Sequence, residues 1–163
     1  MYINFWYPVS LSEELKDEPK RVRMLGQNFV AFRDSKGVPH TLSDTCIHRG
    51  GSLSGGVVRD DCIQCPYHGW RFDGDGACKR IPSLGKDAKI PKRTRIDAYP
   101  TEEKYGIVFA FLGDLDQSKR PPIMPIAELE DEENWRANLL TYEAKINFER
   151  SIENGLDAAH NEF

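Results

Sequence analysis

The sequence has no apolar run near the ~18 residues that a membrane-crossing helix needs. Its start, MYINFWYPVS, lacks the basic n-region and apolar h-region of a secretory signal. Cysteine is scarce, with four in 163 residues, and histidine equally so. Few cysteines and no signal fit a reducing cytoplasm, where cysteines serve metals more often than disulfides. Positive charge is in deficit: 22 Lys and Arg against 26 Asp and Glu give −4 at pH 7, which argues against a nucleic-acid partner. Internal repeats and low-complexity segments are absent as well. What is present is a 39% hydrophobic, 10% aromatic chain, long enough for one full domain and a piece of another.

The scarce metal-binding residues are concentrated. The stretch CIHRGGSLSGGVVRDDCIQCPYHGW, residues 46–70, holds Cys46-x-His48 and, sixteen residues on, Cys65-x-x-His68. Gaps of one and two residues let each of two short loops curl a Cys and a His toward a common centre. Glycines in both loops permit close backbone approach, and Pro66 stiffens the second by fixing φ. Two thiolates and two imidazoles can ligate a [2Fe–2S] cluster, sulfur on one iron and nitrogen on the other, which is the Rieske arrangement. A Cys₂His₂ zinc knuckle uses the same donors, though it usually pairs CxxC with HxxxH. Four cysteines also allow three disulfide pairings.

Around this block the pattern is that of short strands and Gly/Pro turns, which predicts an antiparallel sandwich or barrel. Phe5 to Val9 should cover one end of a core, with a Ser12-capped helical turn over 12–15. Strands are expected at 21–25, 29–33 and 38–42, with turns at Gly26-Gln27-Asn28 and at Asp34–Gly37. A hairpin should cross Asp60-Asp61 to Cys62-Ile63-Gln64. Further strands are expected at 70–72, 77–81, 94–99 and 105–112, with a turn at 100–104. His40 reads as an ordinary surface histidine, and Cys62 and Cys78 as packed thiols. Asp73-Gly74-Asp75-Gly76 hints at a calcium loop, but the glutamate needed at loop position 12 is missing, so it reads as a hairpin turn.

The first domain is expected to close near Leu112, with 113–134 an acidic, proline-bearing connector. A strand over 135–146 and a helix N-capped by Asn147 follow. That helix is locally poor, with Asn154 and Gly155 in its interior, and broken local rules point to a functional site. Asn154, Asp157 and His160 recur three apart, close to one face.

CIHRGG followed by CPYHGWRFDGDGACKRIP resembles the Rieske domain of Rieske non-haem iron oxygenases of the ring-hydroxylating or demethylating type. The likeness runs from about Asn4 to the end of the chain. Respiratory Rieske proteins carry an extra cysteine in each loop and a serine after the second loop's glycine; here those positions are Gly51, Tyr67 and Trp70. The resemblance implies a mainly β fold, a Rieske-type antiparallel β-sandwich with a cluster-binding subdomain (1–112), then a connector and the start of an α+β catalytic domain (135–163). It implies a [2Fe–2S] cluster held by Cys46, His48, Cys65 and His68, with Arg49, Gly69 and Trp70 around it. Glu153-Asn154-x-x-Asp157-x-x-His160 resembles the opening of the family's mononuclear iron motif. By that likeness His160 is an Fe(II) ligand, Asn154 lies beside the iron, and Asp157 bridges the two metal sites for electron transfer. A second iron histidine is expected near position 165, beyond Phe163, so this site is incomplete as written and the chain alone is expected to be inactive. Also implied are an NAD(P)H-dependent reductase, with or without a ferredoxin, an organic substrate, O₂ and a homotrimer. The competing functions are a Rieske ferredoxin that only carries electrons and a zinc-stapled interaction module.

Overall fold

The computed structural model describes residues 3–86, 88–138, 140 and 143–157. One compact unit spans Met1–Pro125 and a second Ile126–Phe163.

The first unit is built from three antiparallel sheets. β1 (Phe5–Leu11) pairs with β11 (Ile107–Leu112), which pairs with β10 (Thr101–Lys104). A second sheet runs β2 (Lys20–Met24), β3 (Gln27–Arg33), β4 (Pro39–Ser43), β9 (Ala98–Tyr99). The third runs β5 (Val57–Arg59), β6 (Cys62–Gln64), β7 (Arg71–Phe72), β8 (Cys78–Arg80). This is the mainly β, sandwich-type architecture that the strand-and-turn pattern predicts.

β3 explains how the layers stack. Successive strand side chains point to opposite faces. Phe29 and Ala31 join a core with Val9, Leu15, Val108 and Ala110, whereas Val30 and Phe32 join another with Leu42, Ile63, Phe72, Cys46 and Cys65. Both faces are buried, so Phe29-Val30-Ala31-Phe32 reads as an unbroken apolar run instead of an alternating one. The first core fastens the sandwich. The second supports the two loops that carry the Cys-His pairs, and the buried thiols are part of it.

Turn chemistry sets the register. Asp60 and Asp61, both at positive φ (50° and 58°), make the tight β5–β6 hairpin the sequence predicts. Asp34–Gly37 and Asp73–Gly76 are the same turn used twice. In each, the aspartate Oδ1 accepts two backbone N–H groups, from Lys36 and Val38 at 2.9 Å, and from Asp75 and Ala77 at 3.1 and 2.8 Å. Asp73–Gly76 is therefore a hairpin turn, as expected.

Several boundaries differ from expectation. The β2–β3 turn is Leu25-Gly26, both at positive φ, and not 26–28. Residues 101–104 are not a turn but the edge strand β10; the turn is Tyr105-Gly106, again with both residues at positive φ. Glu102 and Glu103 suit an edge, where charge discourages further pairing. Phe5–Leu11 is a full strand on β11, and 12–14 is a hydrogen-bonded turn without a helix. Thr94 to Asp97 is irregular, with the strand confined to Ala98–Tyr99. No strand forms among the described residues of 135–146. The helix α2 (Phe148–Leu156) is present, following a short α1 (Ala127–Glu130). Asn147 caps α2, accepting from the N–H of Glu149 at 2.9 Å and Arg150 at 3.4 Å. Its Phe148, Ile152 and Leu156 form an exposed apolar stripe. Residues 113–121, expected as connector, are tied back to the first unit. Trp6 Nε1 donates to the Pro121 carbonyl at 2.7 Å, and Asn4 Oδ1 accepts from the Asp114 N–H at 3.0 Å. Among the described residues no helix is long and apolar enough to cross a membrane.

Arg33 locks the layers together. Its guanidinium grips Glu103 through two bonds, 2.8 and 2.9 Å, and also donates to the carbonyls of Leu15, Gly37 and Ser12. The bond from Arg33 holds the Glu103 carboxyl below its ordinary value of 4.5. A depressed carboxyl stabilises the fold above its unfolded-state pKa, and that contribution disappears as pH falls through the folded value. Arg33→Gln should cost about 2 kcal/mol in a denaturant titration at neutral pH. The deficit should shrink toward pH 3; a pH-independent deficit would place the loss in packing instead.

Candidate functional site

Both candidate loops hang from the second core and close in the same way. In the first, the Gly50 N–H donates to the Cys46 carbonyl at 2.8 Å, and the Cys46 N–H to Gly51 O at 2.9 Å. In the second, Gly69 N–H donates to Cys65 O at 3.0 Å, and Cys65 N–H to Trp70 O at 2.8 Å. Each is a five-residue turn ended by a glycine at positive φ, 69° for Gly50 and 71° for Gly69. That conformation is nearly free for glycine and costly for other residues. The backbone is thus repeated while the histidine is displaced by one position, two after Cys46 and three after Cys65.

Cys46 and Cys65 are buried at 2% exposure each, His48 is half-buried and His68 is exposed. The loops touch: a Cβ built on Gly51 would lie 3.1 Å from Cys65 Sγ and 3.5 Å from Tyr67 Cβ. The two imidazoles face each other edge to face with centroids 4.6 Å apart. Each imidazole also has an aromatic neighbour. Trp70 stacks on His48 at 4.7 Å with 6° between planes, and Tyr67 lies over His68 at 3.8 Å. Arg49, exposed on the first loop, acts through its charge on His48. Gly69 packs beside Pro82, whose Cγ is 3.1 Å from where a Cβ would be.

A clamp that sequence reasoning missed braces the first loop. Asp44, buried at 3%, accepts from Ser52 Oγ at 2.6 Å and from Ser54 through both N–H (2.6 Å) and Oγ (3.0 Å). A buried carboxylate needs such partners. The available signal was an acid two residues before Cys46 with Ser-x-Ser after the loop. Tyr67 was passed over as well, although it directly precedes His68.

The donor set fits a two-iron cluster. His48 Nδ1 is buried with no hydrogen-bond partner, a costly state for a ring nitrogen unless it meets a metal. Burial pushes the Cys46 thiol up to about 11, with the adjacent Cys65 adding to the shift. A bound metal is what turns such a thiol into a thiolate at neutral pH. Desolvation first, then the charges of His68 and Arg49, lowers the pKa of His48, which keeps it neutral and able to ligate. A zinc knuckle needs four donors on one ion; these pair two and two. All four cysteines are free, so no disulfide competes.

The other expectations resolve simply. Cys62 and Cys78 are packed thiols, and burial raises both, Cys62 to about 11. His40 is more engaged than an ordinary surface residue: half-buried, it meets Asp34 at 3.3 Å and lies on Phe32. Asn154 is in the last turn of α2 and Asp157 is its C-cap, both exposed. His160 lies outside the described residues.

Comparison with known proteins agrees with this geometry. Residues 5–100 match the family described as the Rieske [2Fe-2S] domain. The chain is 43% identical over 119 residues to the oxygenase subunit of tert-butanol monooxygenase / tert-amyl alcohol desaturase from Aquincola tertiaricarbonis, covering 73% of this chain and 25% of that protein. It is 37% identical over 159 residues to 4beta-methylsterol monooxygenase from Methylococcus capsulatus, covering 96% of this chain and 43% of that protein. Dicamba monooxygenase, solved with non-heme iron and dicamba, superposes with a TM-score of 0.65 at 32% identity, covering 72% of this chain and 36% of that one. The chain belongs to the Rieske [2Fe-2S] domain family, and these relatives are named as oxygenases. It spans between a quarter and under half of the length of these relatives.

Gly51 offers a test of the cradle. A side chain there must press on Cys65 Sγ. Gly51→Val should reduce bound iron and sulfide to under about a tenth while leaving the far-UV spectrum unchanged, since cluster ligands tolerate little displacement. Full cluster content in this variant would refute the loop contact.

Proposed function

We propose that Cys46 and Cys65 ligate one iron of the cluster and His48 and His68 the other, and that the chain is the electron-receiving part of an oxygenase α subunit. The observation that carries this is the pair of matched loops, with sulfurs packed together inside and imidazoles together outside. When bound, the cluster supplies one electron at a time to the oxygen chemistry. The protein's part is to hold and tune. Buried thiols exclude water from the sulfur side. Trp70 and Tyr67 fix the two rings, and Arg49, Gly69 and Trp70 shape the surroundings on which the potential depends.

Residues 135–163 are proposed to begin the catalytic domain, after a domain over 1–112 and a connector. His160 would be a ligand of a mononuclear Fe(II), Asn154 would lie beside it, and Asp157 would accept from imidazole N–H groups at both metal sites across a subunit boundary of a trimer. The exposed apolar stripe of α2 supports a place inside a larger domain. In the whole protein, an NAD(P)H-dependent reductase, directly or through a ferredoxin, would donate electrons in the cytoplasm. O₂ would be used to hydroxylate or oxidatively demethylate an organic substrate. The 30–43% identities to oxygenase subunits favour this over a free electron carrier.

Anaerobic reconstitution with iron and sulfide should give a coloured protein whose reduced form is EPR-active. His68→Cys should lower its potential by on the order of 200 mV by adding thiolate charge; an unchanged potential rejects His68 as ligand. The 163-residue chain should accept electrons without oxidising substrate, because His160 alone cannot complete an iron site, and substrate oxidation coupled to O₂ would contradict that.

A further inference from the structure

A gap opens at the end of the second sheet, and two prolines cause it. β4 and β9 pair only at Thr41 with Tyr99 and Leu42 with Ala98. Continuing that register would set Pro100 opposite His40 and Thr101 opposite Pro39. The ladder stops there, because proline has no N–H to donate. The Pro100 carbonyl is also taken, by the Phe111 N–H at 2.8 Å, as the chain leaves for β10. What remains between β4 and the Asp73–Gly76 turn is a groove of about 580 Å³, within the size range of small-molecule sites.

Its walls are held by backbone contacts. The Ile96 N–H donates to Gly76 O and the Cys78 N–H to Thr94 O, both at 2.9 Å, and Arg95 forms a β-bridge with Ala77. A Cβ on Gly76 would lie 2.2 Å from Ile96 O, and one on Gly74 would lie 2.1 Å from His40 Nδ1. The turn is thus pressed against β4 on one side and against the segment carrying Arg95 on the other.

The polar groups of the lining are not equivalent. His40 is engaged with Asp34 at 3.3 Å. Asp75 has a cation nearby: Lys79 is raised first by its bond to Asp73 and then by that acid's charge, and the Asp75 charge adds to the rise. Arg95 is exposed and pairs with no acid among the described residues. It donates to the Asp75 carbonyl at 2.8 Å, which tethers the guanidinium at the groove without neutralising it. A tethered guanidinium with N–H groups to spare is suited to a carboxylate. The rest of the lining is largely apolar: Val38, Pro39, Ala98, Tyr99 and Pro100. Proline and tyrosine surfaces are stiff, so little side-chain freedom is lost when a flat body lies on them.

We propose that this groove binds a small organic carboxylate with a flat apolar body, the carboxylate on Arg95 and the body against Val38, Pro39, Ala98, Tyr99 and Pro100. The site shares no residue with the two candidate ligand loops, so it stands apart from the cluster reading. Binding is reversible, and no bond, proton or electron moves.

Benzoate is the probe, titrated calorimetrically into the 163-residue chain. Its dissociation constant should be on the order of 0.5 mM, ordinary for so small a ligand. Arg95→Gln should weaken binding at least about tenfold, with Arg95→Lys intermediate, since an ammonium supplies charge without the fork. Val38 is 46% exposed, so Val38→Trp should fill the groove without entering the core. That variant should also bind benzoate about tenfold more weakly. Benzyl alcohol, which keeps the ring, and acetate, which keeps the carboxylate, should each bind at least about tenfold more weakly than benzoate. Far-UV spectra should match wild type in all three variants. Absence of saturable benzoate binding by the folded wild type overturns the proposal. So do unchanged affinities in both Arg95→Gln and Val38→Trp, which would place the binding elsewhere. Acetate binding as tightly as benzoate also overturns it, because the apolar walls would then contribute nothing.

Discussion

Two backbone hydrogen bonds organise the site: Gly50 N–H to Cys46 O and Gly69 N–H to Cys65 O. Each closes a turn that can end only through a left-handed residue, which is why glycine stands fourth after each cysteine. The pair makes two equivalent cups from unrelated side-chain sequences. With backbones equivalent, the offset of His48 against His68 is absorbed by the side chains. It also explains why the aromatic neighbours differ. Trp70 follows its turn and reaches across to the other loop's His48, whereas Tyr67 sits over the histidine next to it.

The cups would be useless without a rigid floor, and β3 provides it. By burying alternate side chains in two different cores it makes the middle sheet a shared wall. Burying a Phe such as Phe32 or Phe29 contributes roughly 2 kcal/mol each, so a shift of this wall is opposed from both sides. The thiols are packed against it as ordinary core members. The Asp44 clamp performs the same task on the polar side, turning a carboxylate that would be expensive to bury into three short bonds that fix residues 52–54.

Much of this was legible in the residues, and the failures have physical causes. Paired Cys-His spacing and loop glycines marked the site, because ligation restricts residue type more tightly than packing does. Hairpins marked by Asp-Asp or by Asp-x-x-Gly were read correctly, since both chemistries act within four residues. Leu25-Gly26 and Tyr105-Gly106 were misread because an apolar residue occupies the first left-handed position and looks like strand. β10 was missed because Thr101-Glu102-Glu103-Lys104 has no apolar face of its own; it is a strand only because β11 presents an open edge. The expected strand over 135–146 had the alternation but pairs with no strand among the described residues. Pattern predicts a strand's faces, whereas pairing decides whether it exists. The Asp44 clamp was invisible because it depends on contacts eight and ten residues apart in sequence.

The burial gradient across the candidate ligands has a consequence for how the two metal positions differ. Sulfurs lie in an apolar core with water excluded; imidazoles lie at the surface, one half-buried and one exposed. Charge is costly to change in the core and cheap to change near water. If these four side chains hold a cluster as proposed, the imidazole side would better accommodate added negative charge, because solvent and Arg49 are there to offset it. The same side is the one with exposed Tyr67, Ile47 and His68, so the place where added charge is tolerated and the place where a partner can approach coincide. Exchanging the residue types between the inner and outer positions would keep the same donors and spacing yet put the imidazoles in the apolar core and the thiols at the surface. The order of Cys before His in each loop is what prevents it, because the cysteine is buried against the core and the histidine lies two or three residues out along the turn.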